Sequence, residues 1–518
     1  MFSAAGSGRW SRNDLTTSGA LFLATVLYLS AWPRNLGSSD EGYYLYHAKR
    51  MLDGAVLYRD IFDFITPLFT DVLAALFWLF RPDMATARLF NAVLHGAIAV
   101  VLYGTCRTIG VRWGLAVAVA LAHLAIGQPA WPFVSPHWLS TLLTSLLLLT
   151  SIDRRRARQR RSVVAQGLLL GSLIAVHQQK GVVMAAGLAA LLLLDGLIDR
   201  RYGVLPGPGP MMRFGTLVGA TLVVVLPLLC VHAAMANVTL LVSQLVLHPF
   251  TGYRHTNYSP WGGYFFLSAG FLPYTSAPFL KYLPLTIPVG IAQAAPRWIA
   301  RRQRERVETL SVLIVFSAFA ILSISYFPDF IHISFIAPIF FVFLAAIMEG
   351  LLETVTGITG VPASKALAAA SVLALFTAST VHLYRNMLRV RAEFPLPHRT
   401  AFGRVDFHTQ EQITLIEKVR RVAQQTPTRE LFCYPVYASM YLMTDTVNPT
   451  AHEIIAPGYQ GAEVLQEVVE TLEQRQVPQV LLVRLLVREG DPIAQYVDRN
   501  YRCGPDGLCL RRGIEILH

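Results

Sequence analysis

The sequence predicts an α-helical polytopic membrane protein of about 11 to 13 transmembrane helices, with a small extracytoplasmic α/β domain at its C-terminal end. Three observations predict it. Of 518 residues, 54% are hydrophobic and only 15% charged, with a mean hydropathy of +0.46. A soluble chain carries roughly a quarter charged residues. Apolar runs such as 139–150 and 217–231 approach the ~20 residues that cross a bilayer as a helix. The balance then changes near residue 385. Residues 385–518 hold 16 basic and 16 acidic side chains, whereas the first 384 hold 28 and 16 and account for the whole net charge of +12. An ordinary cytosolic enzyme, a disordered protein and a coiled coil are excluded.

The apolar runs fall at 17–33, 66–80, 88–106, 113–131, 138–152, 163–179, 181–198, 213–235, 282–296, 309–325, 331–350 and 364–384. No small-residue cleavage site follows the first, which reads as an anchor. Arginines cluster between runs, at 154–161 and 297–306. Such clusters beside membrane helices read as cytoplasmic anchors rather than a nucleic-acid surface, and no nucleic-acid partner is expected. With both clusters and Arg200–Arg201 inside, parity puts 34–65 and 385–518 outside. Four runs then lie between loop 34–65 and the first cluster, where an odd number must cross. The run 66–80 is among the shortest and is expected to be a re-entrant or surface helix. The division is therefore 1–384, transmembrane, and 385–518, a soluble outer domain with helices at 409–425 and 462–476 and strands at 430–434 and 480–483. Cys503 and Cys509 flank Gly504-Pro505-Asp506-Gly507. They form either a small disulfide loop in an oxidising compartment or two unpaired thiols.

The first outer loop carries the densest chemistry. It reads Asp40-Glu41-Gly42-Tyr43-Tyr44, then Ala48 to Gly54, then Tyr58-Arg59-Asp60, and closes on Thr66-Pro67. Ionisable groups beside lipid are costly unless they face water or a partner. A carboxylate held there can accept a proton from a hydroxyl, and Lys49, Arg50 and Arg59 can meet a phosphate. From spacing alone, a solvated loop whose charges anchor helix ends is the plainer alternative.

Those features, five in order over residues 40–67, resemble the first extracytoplasmic loop of the GT-C membrane glycosyltransferases. The nearest group is the family 39-like one of protein O-mannosyltransferases and the lipid A aminoarabinose transferase. The resemblance implies a GT-C-like helical domain, with loop 34–65 carrying the active site. It also implies a sugar donor linked to a polyprenyl phosphate and transfer with inversion. Asp40 would be the general base. Glu41 is the second choice, otherwise orienting an acceptor or a cation. Tyr43, Tyr58 and Asp60 would bind substrate, and Arg59 the donor phosphate.

Three further segments supply candidates. His177-Gln178-Gln179-Lys180-Gly181 sits between two apolar runs, and Lys180 is one of only five lysines. A point charge there suits a lipid phosphate, or simply marks a helix end. Tyr326 to His332 looks like an Asp-x-x-His loop found in this group, with Asp329 and His332 one helical turn apart. They would orient a phosphate, bind the sugar, or bond only to each other. His137 stands where many members of the group carry an Asp, which puts a second catalytic carboxylate or a carboxylate metal ligand in doubt. His137 is kept as a substrate-binding candidate. Arg254, in the segment 248–255, is the last phosphate candidate.

The histidines lack close metal-ligand spacing, so no cofactor and no required metal is expected, although a divalent cation is not excluded. The expected partners are the polyprenyl-phosphate sugar, membrane lipids, and a lipid, glycan or protein hydroxyl acceptor. The expected location is a bacterial inner membrane. Two rivals stand beside this reading: a transporter or flippase of a polyprenyl-linked substrate, with Asp71 and Asp195 as candidate intramembrane charges, and a non-catalytic envelope-assembly subunit.

Overall fold

Helix α1, Arg12–Ser30, starts on a capping box in which the Ser11 hydroxyl accepts the Asp14 N–H and Asp14 accepts the Ser11 N–H. The same carboxylate accepts from the Tyr103 hydroxyl at 2.7 Å and Arg107 Nε at 2.9 Å. This fastens α1 to the end of the helix Met84–Thr108. The computed structural model describes residues 10–37, 40–203, 209–253, 280, 282–359, 361–455 and 460–513.

Between α1 and α4 lie α2, Asp40–Leu52, and α3, Leu68–Leu79; α4 is Met84–Thr108. The 12 residues of α3 reach only about 18 Å at the rise of a helix, too short to cross a bilayer. This is the behaviour expected of run 66–80. Next come α5, Trp113–Ala122, α6, Pro136–Ile152, α7, Arg160–Val176, α8, Gln178–Tyr202, and α9, Pro210–Ala236. The membrane part ends with α10, Thr286–Ile299, α11, Arg304–Ser323, α12, Phe330–Thr359, and α13, Val361–Glu393. Among the described residues, seven helical spans are long and apolar enough to cross a membrane, and α3 and α6 are shorter apolar helices. The chain is an integral membrane protein. Helix α13 continues to Glu393, so the expected boundary at 384/385 falls inside a helix rather than in a linker.

Small residues set the closest packing. Gly167 and Gly171 lie one turn apart on α7, where a Cβ would come within 2.6 Å of the Leu217 and Thr221 carbonyl oxygens of α9. At the far end of the bundle from α2, part of the arginine clusters is buried in ion pairs. Arg154 and Arg213 are buried on Asp195. Arg158 and Arg304 reach Asp199 at 2.9 and 2.7 Å, and Glu308 at 3.3 and 3.0 Å. This network ties the turn after α6 to α8, α9 and α11. Asp195 is therefore a structural partner. Asp71, the other intramembrane acid, faces His232 at 3.1 Å.

The C-terminal part holds an antiparallel hairpin, β1, Leu396–Thr400, and β2, Gly403–Phe407. Then follow α14, Gln410–Gln425, β3, Phe432–Tyr434, α15, Ser439–Thr444, and α16, Ala462–Gln474. The chain ends with β4, Gln479–Leu482, α17, Pro492–Asn500, β5, Tyr501–Cys503, and β6, Leu508–Arg511. The sheet order is β3-β4-β6-β5, with β3 and β4 parallel. Cys503 and Cys509 form a disulfide across the last hairpin. One core of this part, around Phe432, Val468 and Val497, is its own. The other face, with Ile416, Leu431 and Tyr441, joins the main core containing α2.

Candidate active site

Helix α2 sets the geometry. Its acids fall in the first turn and its bases in the last, where each complements the helix dipole. Gly42 lies so close to α15 that a Cβ would meet the Ser439 nitrogen at 2.4 Å. Tyr46 stacks on Tyr441, with ring centroids 4.7 Å apart. Loop and tail also join through the Phe62 N–H, which donates to the Ala451 carbonyl at 2.8 Å.

Between α2 and the bundle opens a cavity of about 980 Å³. Asp40, Tyr43 and Tyr44 of α2 line one side, with Phe62, Phe64 and Thr66 beyond them. His137, His177, Asp329 and His332 line the other, and Val436, Glu453 and Ile454 of the tail complete the wall. A third stretch is apolar: Ile174, Val182, Val183, Leu229, Leu245 and Val246. Residues 243–253 enter it through two π-helical turns, a geometry that collects at functional sites.

The expected residues divide sharply. Asp40, Tyr43, His137, Asp329 and His332 all face this one cavity. Burial, and after it the charges of Asp40 and Asp329, pushes the Tyr253 phenol up, and burial does the same to Tyr326. Asp329 accepts from the His332 ring at 2.6 Å and from the His332 N–H at 2.8 Å, so the expected Asp–His bond is present.

Glu41 does not face the cavity. It is buried against Arg88, which donates to both of its oxygens, and it accepts the Gly37 N–H at 2.9 Å and the Val134 N–H at 2.8 Å. Lys180 also lies outside the lining. The helix that carries it starts at Gln178, which turns its ammonium into the bundle, onto Ser140 Oγ at 3.0 Å and over the Phe335 ring. Arg59 is half exposed and clasps Asp60 at 2.8 Å; Asp60 in turn accepts the Val56 N–H at 2.8 Å. Tyr58 is buried and donates to the Ile65 carbonyl at 2.8 Å. The Tyr-Arg-Asp turn thus shapes the loop rather than lining the cavity. Arg254 lies outside the described residues.

Sequence reasoning missed two groups. His177 was inside a quoted segment but passed over for Lys180. The second is a buried hub in which His47 meets Glu453 at 3.0 Å and Asp63 at 3.4 Å, while Arg50 pairs with Glu453. Burial alone would push His47 down, but Glu453 and Asp63 outweigh it and hold the imidazole above its usual value. Burial would likewise raise Glu453, and His47 and Arg50 hold it below the carboxylate range instead. Lone charges at 47, 50, 63 and 453 give no local signal of such a cluster. Among the described residues, no group of three His, Cys, Asp or Glu is placed to hold a metal ion.

This architecture recurs in solved structures that carry the same fold. One of them is ArnT from Cupriavidus metallidurans. With undecaprenyl phosphate bound, ArnT aligns at TM-score 0.56 and 16% identity, over 90% of this chain and 90% of that one. In the apo state it aligns at TM-score 0.54 and 16% identity, over 90% and 93%. The S. cerevisiae protein O-mannosyltransferase Pmt1-Pmt2 complex, bound to the sugar donor, overlaps only in part. Its TM-score is 0.34 at 16% identity, over 46% of this chain and 37% of that one. No family model matches the chain, and no curated protein does.

Proposed function

We propose that this protein is an inverting glycosyltransferase that moves a sugar from a polyprenyl-phosphate donor to a hydroxyl acceptor on the outer face of the membrane. The observation that carries the reading is the cavity. It joins the Asp40 carboxylate to an apolar wall built from bundle helices, the shape required by a ligand with a polar head and a lipid chain. Support comes from the fold shared with ArnT, whose solved structure holds undecaprenyl phosphate.

In this reading Asp40 takes the proton of the acceptor hydroxyl. The freed oxygen attacks the anomeric carbon while the bond from that carbon to the phosphate oxygen breaks. The lipid phosphate leaves with the bonding pair, and the sugar is inverted. Asp40 is the catalytic residue, and Glu41 a positioning residue that anchors the start of α2. Tyr43, Asp329 and His332 line the sugar and donor side, and the tail carrying Glu453 faces the acceptor. No step uses a metal. The donor sugar is of the mannose or arabinose type, and the acceptor a lipid, glycan or protein hydroxyl. The outer side is supported by the Cys503–Cys509 disulfide, which belongs to an oxidising compartment, and by the arginine network at the opposite end of the bundle. A bacterial inner membrane fits both.

The test is transfer from radiolabelled polyprenyl-phosphate sugars to an envelope extract, by purified protein in lipid. We expect Asp40→Asn to lower kcat by about 10²- to 10⁴-fold, the range of general-base catalysis, with donor binding kept. Equal transfer by both proteins would remove Asp40 from the chemistry. Lipid bound without transfer by the wild type would favour a transporter or an assembly subunit.

A further inference from the structure

Three helices of the bundle begin at one wall of the cavity: α6 at Pro136, α8 at Gln178 and α12 at Phe330. Each places a histidine there. His137 is in the first turn of α6, His177 caps α8, and His332 is in the first turn of α12. The His137 ring lies 4.8 Å from that of His177 and 5.3 Å from that of His332, centroid to centroid. A helix start offers unpaired N–H groups and the positive end of the dipole. At α6 and α12 the first N–H groups are taken up by Ser135 and Asp329, so the uncapped start is that of α8.

A second observation points to a ligand. Nδ1 of His137 and Nδ1 of His177 are both buried with no hydrogen-bond partner, and His177 is only 6% exposed. Buried polar atoms are nearly always paired, and here two rings of one cavity wall each leave a nitrogen without a protein partner. Asp329, the nearby acid, is taken up by His332. Among the described residues that line the cavity there is no Lys or Arg. The side chains among them that can donate to an anion are imidazoles, amides and hydroxyls.

We propose that His137 and His177, at the converging starts of α6, α8 and α12, hold the phosphate group of a lipid phosphate ester. The assignment rests on the glycosyltransferase reading and moves the phosphate from Lys180 and Arg59 to two imidazoles. With the proton on the ring nitrogen turned to the cavity, each imidazole donates to one phosphate oxygen. The lipid chain then follows the apolar wall of Val182, Val183 and Leu229, which begins one turn further along α8.

The experiment is equilibrium binding of radiolabelled undecaprenyl phosphate to the full chain in lipid nanodiscs, with undecaprenol as the chain-only control. His177→Ala is expected to raise Kd about 10-fold, as for loss of a charge-assisted hydrogen bond, and the double variant with His137→Ala by more. His177→Asn keeps a side-chain N–H donor and is expected to retain most of the affinity, which a packing role would not require. Undecaprenol is expected to bind all variants alike. Labelled inorganic phosphate, bound by the wild type and lost in the same variants, would show that the phosphate group alone suffices. Lipid phosphate bound without inorganic phosphate would show that the ester is needed; either supports the site. Unchanged Kd in the double variant, or equal loss of undecaprenol, would overturn it and leave the donor reading standing. A wild type that fails to bind undecaprenyl phosphate would instead take down the donor reading.

Discussion

Asp40 and Glu41 are neighbours with opposite fates, because one step along a helix turns a side chain by about 100°. Asp40 meets the cavity; Glu41 turns inward to Arg88 and two backbone N–H groups. Removing one partner of such a buried pair strands the other charge, at a typical cost of about 3–5 kcal/mol. Glu41→Gln is therefore expected to lower the thermal midpoint of the purified protein markedly. Asp40→Asn should leave it near the wild-type value while slowing transfer as above. A melt in which the two variants behave alike would remove this division of roles. The acidic pair was legible in the sequence because charge beside lipid demands a reason. Which acid faces the ligand was not, because it depends on the entry angle of α2. The same holds at the other wall. The segment 177–181 was legible, but Lys180 drew the eye by its charge while the helix start presents His177.

At the scale of elements, most helices could be read from hydropathy, since a bilayer imposes both length and composition. The short α3 was read from parity, a constraint on the whole chain. In the tail, α14 and α16 announce themselves by amphipathic spacing, and β3 and β4 by short apolar runs. The hairpin β1–β2 does not. Leu396-Pro397-His398-Arg399-Thr400 alternates in burial but carries mostly polar side chains, so its sequence resembles a linker. The β5–β6 hairpin was legible only as an open choice, and the structure closes it with a disulfide. Loop closure over so few residues is worth about 2 kcal/mol. Cys503→Ser is expected to lower the stability of the C-terminal sheet by that order, measured as earlier loss of its amide protection, with the bundle unchanged. Gly167→Val should act in the reverse sense. It forces α7 from α9, lowering the midpoint of the bundle and leaving the tail's protection intact.

At the scale of the molecule, the hub of His47, Arg50, Asp63 and Glu453 makes the docking of the tail pH-dependent. His47 titrates above its ordinary 6.5 in the folded chain. Its contribution is therefore complete below 6.5 and is lost as pH rises through the folded value. Glu453 titrates below its ordinary 4.5. Its contribution is complete above 4.5 and is lost as pH falls through the folded value. Docking is thus expected to be tightest between about pH 4.5 and 6.5, read as protection of residues 439–455 against exchange. Glu453→Gln should flatten that dependence, and an unchanged profile would exclude the hub as its source. The joint has a further consequence, for biogenesis. α2 is made about 390 residues before the segment 439–453 that covers its aromatic face. A chain halted before residue 439 leaves Tyr46 without its stacking partner Tyr441 and His47 without Glu453, so that face of α2 stays bare.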